Sequence, residues 1–441
     1  MQYVHYLQKT FPQHEMEIIN IAQRIKRIER NEQVFEEIVD KVRASDGVLW
    51  AFPLYILHVH AHYKRFIELI WEQGAVDAFA DKHAASLSTS IHYFDHTAHN
   101  YVQAICDDLG MKYVSAYSPE MRDLLDELER AKFVMFAERF FDAIEKGLPM
   151  PRRYAPVVWE EVDYSAGPVT SRVSVDGKRV VLLTDAEPNQ TNLLAMIDRF
   201  KDSFSGGVKV FKLHDLEIRG SCLGCLSCGY NYECAYLGKD GFIDFYNTEL
   251  KTADVLVFAG AIKDRYLSST WKTFFDRSFF NTHTPSLVGK QFAFLISGPL
   301  SQNGNLQQIL EAWVQLQQSN LVGMVSDEFG DSVQIDALLQ DLAGRLVEYA
   351  TLGYIKPQTF LGVGGMKVFR DDIYGRLRTV FQADHRAYKQ MGIYDFPQKD
   401  LGVRALNAVT TVLFKVPRIR RAFSARIKQG MIQPYQKVLE V

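Results

Sequence analysis

A stretch near residue 45 returns 208 positions later. Residues 45–51 (SDGVLWA) align with 253–259 (ADVLVFA), and the same offset, without a gap, pairs Lys64 with Lys272, Phe66 with Phe274, Glu68 with Asp276 and Lys82 with Lys290. One register held this far makes two structural copies the simplest reading. Each copy reads as an acidic residue, a continuous apolar strand, a loop, a helix carrying Lys and an acid, a second apolar strand and a small-residue loop. Strand alternating with helix means parallel strands joined by crossovers, because a tight turn cannot join parallel neighbours. The fold class expected is α/β: two doubly wound parallel-sheet domains in tandem.

The second copy is the fuller. Residues 179–185 (RVVLLTD) and 208–213 (VKVFKL) supply two earlier strands around a helix over 193–204. In the first copy, residues 15–21 (EMEIINI) take the place of the second strand and residues 1–11 that of the first helix, so the first strand would lie upstream of Met1; an earlier start, another segment in that sheet position and loss of the element are the three readings. Pro149, Pro151, Pro156 and Pro168 mark a linker. The domains expected are 1–147, a linker over 148–168, a domain over 169–365 and a helical, basic C-terminal extension over 366–441. A chain of 441 residues is long enough for two cores.

Composition narrows the class. A hydrophobic fraction of 47% with 23% charged residues is ordinary for a globular chain, and a net charge of −3 argues against a general nucleic-acid binder. No run approaches the roughly 20 apolar residues that cross a bilayer, and the opening MQYVHYLQKTFPQHE lacks the apolar core of a signal peptide. A cytoplasmic location is expected. Five cysteines, an odd number and mostly crowded together, do not resemble a disulfide framework.

Four of the five lie in Cys222-Leu-Gly-Cys225-Leu-Ser-Cys228-Gly-Tyr-Asn-Tyr-Glu-Cys234. Thiolates are soft ligands, and consecutive two-residue spacings let one loop wrap its sulfurs around a cubane, with Gly224 and Gly229 supplying unusual backbone angles. A 4Fe-4S cluster is the first expectation. Unligated thiols and zinc, which usually shows two separated knuckles, are the alternatives. The turn over 186–192 (AEPNQTN) joins a strand to a helix and is rich in side-chain hydroxyls and amides, which suits a phosphate at the helix N-terminus. An N-cap by Asn189 or Thr191 is the plainer alternative, and Glu187 opposes an anion. Open parallel sheets bind ligands at the carboxyl ends of their strands, here residues 52–55 and 89–92 in the first copy and 260–263 and 297–299 in the second. Tyr55 could stack on a planar ring.

Taken together these residues resemble the NADPH-dependent FMN reductases of the flavodoxin-like superfamily, and among them the iron-sulfur flavoproteins. Those proteins combine a hydroxyl- and amide-rich phosphate loop, a compact four-cysteine motif, a strand ending in Ser-Pro-x-Tyr and a helix with Lys and Asp-Arg. The second copy matches the cysteine motif and the Lys272, Asp276-Arg277 helix, and the phosphate loop loosely; Gly260-Ala-Ile-Lys263 replaces Ser-Pro-x-Tyr. The first copy matches the ring loop better, with Phe52-Pro-Leu-Tyr55, but lacks the phosphate loop and the cysteines. The resemblance covers residues 15–360.

It implies two flavodoxin-like domains, with FMN held at its phosphate by Asn189, Thr191 and Asn192 and around its ring by Gly260, Ala261, Ile262, Lys263, Ser297, Gly298 and Pro299. It also implies an iron-sulfur cluster on Cys222, Cys225, Cys228 and Cys234, NAD(P)H as co-substrate, a small-molecule or protein electron acceptor and a homo-oligomer. The function expected is an FMN-dependent NAD(P)H oxidoreductase whose cluster relays electrons. An electron carrier without small-molecule turnover and a scaffold with decayed flavin sites are the alternatives. Lys263 or Arg265 near the reduced flavin could stabilise an anionic form, solvated side chains in a mobile loop being the commoner reading.

Two further groups are singled out. His58, His60 and His62 in one loop and His92, His96 and His99 after the next strand could meet as a metal or proton-transfer site, or line a polar cleft or interface. Cys106, flanked by Ile105 and Leu109, reads as buried and apolar. Residues 401–439 contain no Asp or Glu but eight Lys or Arg, including Lys415, Arg418, Arg420, Arg421, Arg426 and Lys428, beside the apolar stretch 406–414. Contact with an anionic membrane surface is one reading, and a helix pair packed on the domains or on a partner is the commoner one.

Overall fold

The computed structural model describes residues 2–159, 162–328, 330–396 and 400–439. Contacts divide the chain into two compact units, Met1–His385 and Arg386–Val441. The first half of the larger unit runs α1 (Gln2–Thr10), α2 (Ile25–Arg30), α3 (Glu32–Ala44), β1 (Gly47–Tyr55), β2 (His58–Val59), α4 (Ala61–Glu72), β3 (His83–Thr89), α5 (Asp95–Asp108), β4 (Lys112–Tyr117) and α6 (Glu127–Glu145). The second half runs β5 (Val180–Thr184), α7 (Thr191–Asp202), β6 (Val208–Lys212), α8 (Phe242–Phe245), β7 (Val255–Ala261), α9 (Ser269–Ser278), β8 (Gln291–Ser297), α10 (Gly304–Leu316), β9 (Asn320–Ser326) and α11 (Ser332–Leu352). Four helices follow: α12 (Phe360–Tyr374), α13 (Gln382–Gln390), α14 (Leu401–Leu413) and α15 (Pro417–Leu439).

The second sheet is parallel throughout in the order β6-β5-β7-β8-β9, the flavodoxin-like order with its switch point beside β5 and β7. Helices cover both faces, so β5 reads as an unbroken apolar run and all five of its residues are buried. Leu182, Val257 and Leu295 pack with Leu193 and Met196 of α7 and Leu339 and Leu342 of α11 on one side.

The first sheet has the order β2-β1-β3-β4, with β1, β3 and β4 parallel and the two-residue β2 antiparallel to β1. Leu87 of β3 packs with Tyr3 and Leu7 of α1 and Phe133 and Phe140 of α6. The strand expected over 15–21 is not formed; those residues are irregular and none is buried. In the second sheet the matching edge strand pairs with β5, and the first sheet has no counterpart to β5 among the described residues, so this segment has no ladder to join. Beyond the halves, α12 packs on α10, which carries the larger unit past the boundary expected at 366.

Candidate functional site

The two halves meet through equivalent helices, α4 and α9, and their contacts repeat at the sequence offset. Asp276 Oδ2 accepts from the Ala61 amide at the start of α4 at 2.8 Å, while Glu68 Oε1 accepts from the Ser269 amide at the start of α9 at 2.6 Å. Each carboxylate closes the other helix, where free N–H groups and the helix dipole favour negative charge. Burial would raise the Glu68 carboxyl, but Lys64 and Ser269 outweigh it and hold it below its ordinary value. His58 and Tyr266, also 208 positions apart, stack with ring centroids 4.1 Å apart. This is the pattern of an isologous interface drawn within one chain.

Both halves carry the same tight turn before that helix. Tyr55 pairs with His58 across Ile56 and Leu57, and Lys263 pairs with Tyr266 across Asp264 and Arg265. All four intervening residues have positive φ, 43° and 64° in the first turn and 46° and 60° in the second. Such two-residue turns normally use Asn or Gly, so a β-branched Ile56 at positive φ stores strain beside the candidate site.

The cysteine loop lies against the first of these turns. The Tyr55 hydroxyl is 2.9 Å from Cys222 Sγ, and a His60 ring nitrogen is 3.0 Å from the Cys222 carbonyl. Arg277 brackets the loop from α9, donating to the Gly220 carbonyl before it at 3.0 Å and to both Asp240 oxygens after it at 2.7 and 2.9 Å. Asp276 holds Ser221 Oγ at 3.2 Å. The adjacent Asp and Arg of α9 thus anchor one loop from two sides. Gly224 has φ of 62°, as expected, whereas Gly229 is needed for space: a Cβ there would stand 2.2 Å from the Val380 carbonyl oxygen.

All four thiols, Cys222, Cys225, Cys228 and Cys234, line one narrow cavity of 10 Å³, walled by Tyr55, Tyr236, Arg277, Phe279 and Phe280. That is space for about one water. Cys225 is exposed, with exposed Leu223 and Leu226 beside it. Burial pushes the Cys228 thiol up to about 12, with Cys222 and Cys234 adding to it, while Ser227 lowers Cys225. Among the described residues no three of His, Cys, Asp or Glu come within reach of a single ion. The chemistry of the donor set, four thiols around one cavity with no carboxylate among them, is of the kind that an iron-sulfur cluster takes.

A second cavity, of 190 Å³, opens at the carboxyl edge of the first sheet. Its walls are Leu54 and Tyr55 at the end of β1, Ile56 and Leu57 in the turn beyond it, Ser90, Ile91 and Tyr93 after β3, and from the second half Phe279, Thr282, His283 and Leu316, with Phe369 of α12. Tyr55 and Phe279 wall both cavities. His283 Nδ1 lies 2.9 Å from buried Asp384, which also accepts from Thr284 Oγ1 at 2.6 Å. The candidate ligand loops 52–55 and 89–92 supply the first-half wall of this cavity; sequence reasoning missed the opposite wall, because it comes from segments up to about 300 residues away.

The geometry is that of an α/β chain whose first half can be placed. Residues 1–132 match the family model of the flavodoxin-like fold. Among solved structures, the Trp repressor binding protein from Bacillus subtilis is 15% identical over 38% of this chain and 97% of its own, with a TM-score of 0.26. An azoreductase is 15% identical over 38% and 98%, with a TM-score of 0.30, and a flavone reductase 13% identical over 41% and 66%, with a TM-score of 0.29. Likenesses of this size carry no inference about activity. No curated protein matches the chain.

In the second, also flavodoxin-like, sheet the residues expected to cradle FMN are otherwise engaged. Asn192 is buried and turned inward, accepting from the Tyr164 amide at 3.1 Å and donating to Asp327 at 3.3 Å. Ser297 Oγ and the Gly298 amide donate to the same Asp327 carboxylate at 2.6 and 2.8 Å. The linker crosses here, with Tyr164 packed beside Ala186 and Leu193. At the end of β5, Asp185 is also buried; Ser268 Oγ donates to it, as does Trp271 Nε1 at 2.9 Å, and burial raises its carboxyl to about 6. Two buried carboxylates and a crossing linker oppose a phosphate. Asn189 and Thr191 remain exposed, and the helix N-cap is Gln190 in place of either, its side chain accepting from the Glu187 amide at 2.9 Å and making no capping bond to the helix.

The ring-loop residues are likewise engaged within the chain. Gly260 and Ala261 end β7, and a Cβ on Gly260 would stand 2.6 Å from Trp271 Nε1. The Ile262 amide donates to the Ser297 carbonyl at 2.8 Å, and Pro299 is buried. Lys263 pairs with Glu72 and Arg265 with Asp108, so both bind the first half and neither faces a ring site. The histidines gather at no single point: His60 and His62 stay in ring contact at 4.8 Å, but His58 is buried between Tyr101 and Tyr266, His62 bonds the Ala22 carbonyl, His92 pairs with Asp95, His96 packs on Phe94, and His99 bonds Ser86 and Ser88. Burial, then Lys272 and Lys64, holds His58 well below its ordinary pKa. Cys106 is fully buried on α5. No described helix is long and apolar enough to cross a membrane.

Proposed function

We propose that this chain is a flavin-dependent oxidoreductase built from a duplicated flavodoxin-like fold, with Cys222, Cys225, Cys228 and Cys234 holding a 4Fe-4S cluster and the interface cavity receiving the ring of FMN. When bound, such groups supply one-electron and two-electron chemistry respectively, with NAD(P)H as the reductant that the family resemblance implies. The observation that carries the reading is that Tyr55 and Phe279 stand in the wall of both cavities. Residues from each half thus separate the thiols from the ring site by one layer of aromatic side chains.

The chain's own groups then have distinct tasks. Arg277 and Asp276 fix the ends of the cysteine loop, and Tyr55 supplies a hydrogen bond to the Cys222 sulfur. Burial and the neighbouring Cys222 keep the Tyr55 phenol well above its ordinary pKa, so it remains a donor. Leu54, Ile91 and Phe369 exclude water from a planar ligand, and the His283–Asp384 pair offers it a proton-exchanging group. The ring is placed here, away from the second sheet, because Asp327 and Asp185 occupy the donors there.

The test is anaerobic purification and reconstitution with iron, sulfide and flavin quantified on one sample. About four irons per chain, lost in Cys225→Ala, with bound flavin, supports the reading. A chain that stays colourless after reconstitution removes it.

A further inference from the structure

The smaller unit carries a feature that the proposed redox site does not use. Its two long helices, α14 and α15, bury none of their described side chains. On α14, Leu406, Val409, Val412 and Leu413 form one broad apolar face, with Leu406 62% and Val412 63% exposed, while Arg404, Asn407 and Thr411 lie opposite. On α15, Ile419, Phe423, Ile427 and Met431 recur every four residues and are all exposed. Phe414 and Phe423 meet at 4.8 Å across the turn that joins the helices. Contiguous apolar surface of this kind is covered by something in a working protein.

Charge says what covers it. Arg404, Lys415, Arg418, Arg420, Arg421 and Arg426 are all exposed, and residues 401–439 contain no acidic side chain, although the whole chain carries a net charge of −3. The side chain of Lys428 lies outside the described residues. A protein partner or a second copy of this acidic chain could match the apolar faces, but basic charge unrelieved by any acid, on Arg404 of α14, Lys415 in the turn and four arginines of α15, matches a surface that is uniformly anionic. Lys and Arg flanking an apolar stripe can also extend their charged ends upward while their stems lie on acyl chains. At 13 residues α14 is too short to span a bilayer, so it would lie along the surface.

We propose that α14 and α15 seat this protein on an anionic membrane surface, apolar faces in the acyl boundary and basic residues among the headgroups. Binding then requires both apolar area and negative lipid. It brings the larger unit to a surface where lipid-soluble electron acceptors reside.

Vesicle flotation with the full chain tests this, using phosphatidylcholine vesicles with and without 30% phosphatidylglycerol (about a third, enough for a strong surface potential). The expected result is flotation with the anionic vesicles only, lost at about 0.5 M salt. Arg418→Gln, Arg420→Gln and Arg421→Gln together should weaken binding roughly a hundredfold, at about fivefold per residue. Phe423→Ser with Leu406→Ser should abolish flotation while leaving the protein's mass in solution unchanged. Equal flotation with neutral vesicles, or none with either, overturns the proposal. So does an oligomer in lipid-free buffer that dissociates on the Phe423→Ser, Leu406→Ser change, since the apolar faces would then join two copies.

Discussion

The Tyr55 hydroxyl lies 2.9 Å from Cys222 Sγ, although 167 residues separate them in the chain. This contact joins the turn after the first strand of one half to the cysteine loop of the other. Hydrogen bonds to ligating sulfur stabilise the more electron-rich, reduced state of an iron-sulfur group. Tyr55→Phe should therefore retain iron and lower the reduction potential, read by anaerobic redox titration beside an iron assay. Full iron with an unchanged potential would mean that Cys222 is not a ligand.

The reciprocal caps carry the second prediction. Asp276 is fully buried with Lys272 and accepts from the Ala61 amide and Ser221 Oγ. Asp276→Ala leaves a buried lysine, an uncapped α4 and a loosened cysteine loop, and removal of one member of a buried pair costs about 3–5 kcal/mol. Glu68→Ala should be milder, because Arg65 and Lys263 near it keep access to Glu72. Denaturation midpoints of the two variants, compared with the unaltered chain, check both the size and the order.

How much of this was open to sequence reading follows from the kind of signal each residue gives. The repeat and the four cysteines announce themselves by spacing alone, so the two parallel sheets and the shared thiol cavity could be anticipated. Residues 15–21 read like a strand, but their sequence cannot reveal that the described residues offer no neighbouring strand for them to join. The turn at Ile56 and Leu57 carries none of the Gly or Asn that would mark it. Asp327 was invisible because its role arises only where Asn192, Ser297 and Gly298 converge. Those three residues were read as ligands for a cofactor, and the chemistry was sound: they are donors, and an anion does sit on them, but it belongs to the chain.

Asp185 gives a pH prediction with a definite sign. Burial raises its carboxyl from 3.8 to about 6, against the opposing hydrogen bonds from Ser268 and Trp271 and the nearby His214. Between those values the folded chain holds a proton that the unfolded chain has released, so stability falls as pH rises through the window and stays lower above it. The difference is about 3 kcal/mol at neutral pH. Asp185→Asn should raise the thermal midpoint at pH 7.5 and flatten its dependence between pH 4 and 6 (about the span of the two pKa values). Asp327, also raised by burial, leaves a residual slope of the same sign. An Asn variant that is less stable at pH 7.5 would contradict the assignment.

The position of the flavin can be decided by two substitutions with opposite expectations. If the second sheet bound the cofactor as the sequence pattern implies, Asn192→Ala would weaken it, because a phosphate ligand would be lost. In the structure Asn192 serves Asp327 and the Tyr164 amide, so the same change should cost stability and leave flavin affinity unaltered. Leu316→Trp does the reverse. Leu316 is half-buried in the wall of the 190 Å³ cavity, and a larger ring there fills space that a planar ligand needs. Flavin binding followed by fluorescence quenching should then fall sharply for Leu316→Trp, with one site per chain in the unaltered protein. Two sites, or a loss confined to Asn192→Ala, would return the flavin to the second sheet and require Asp327 to yield its donors.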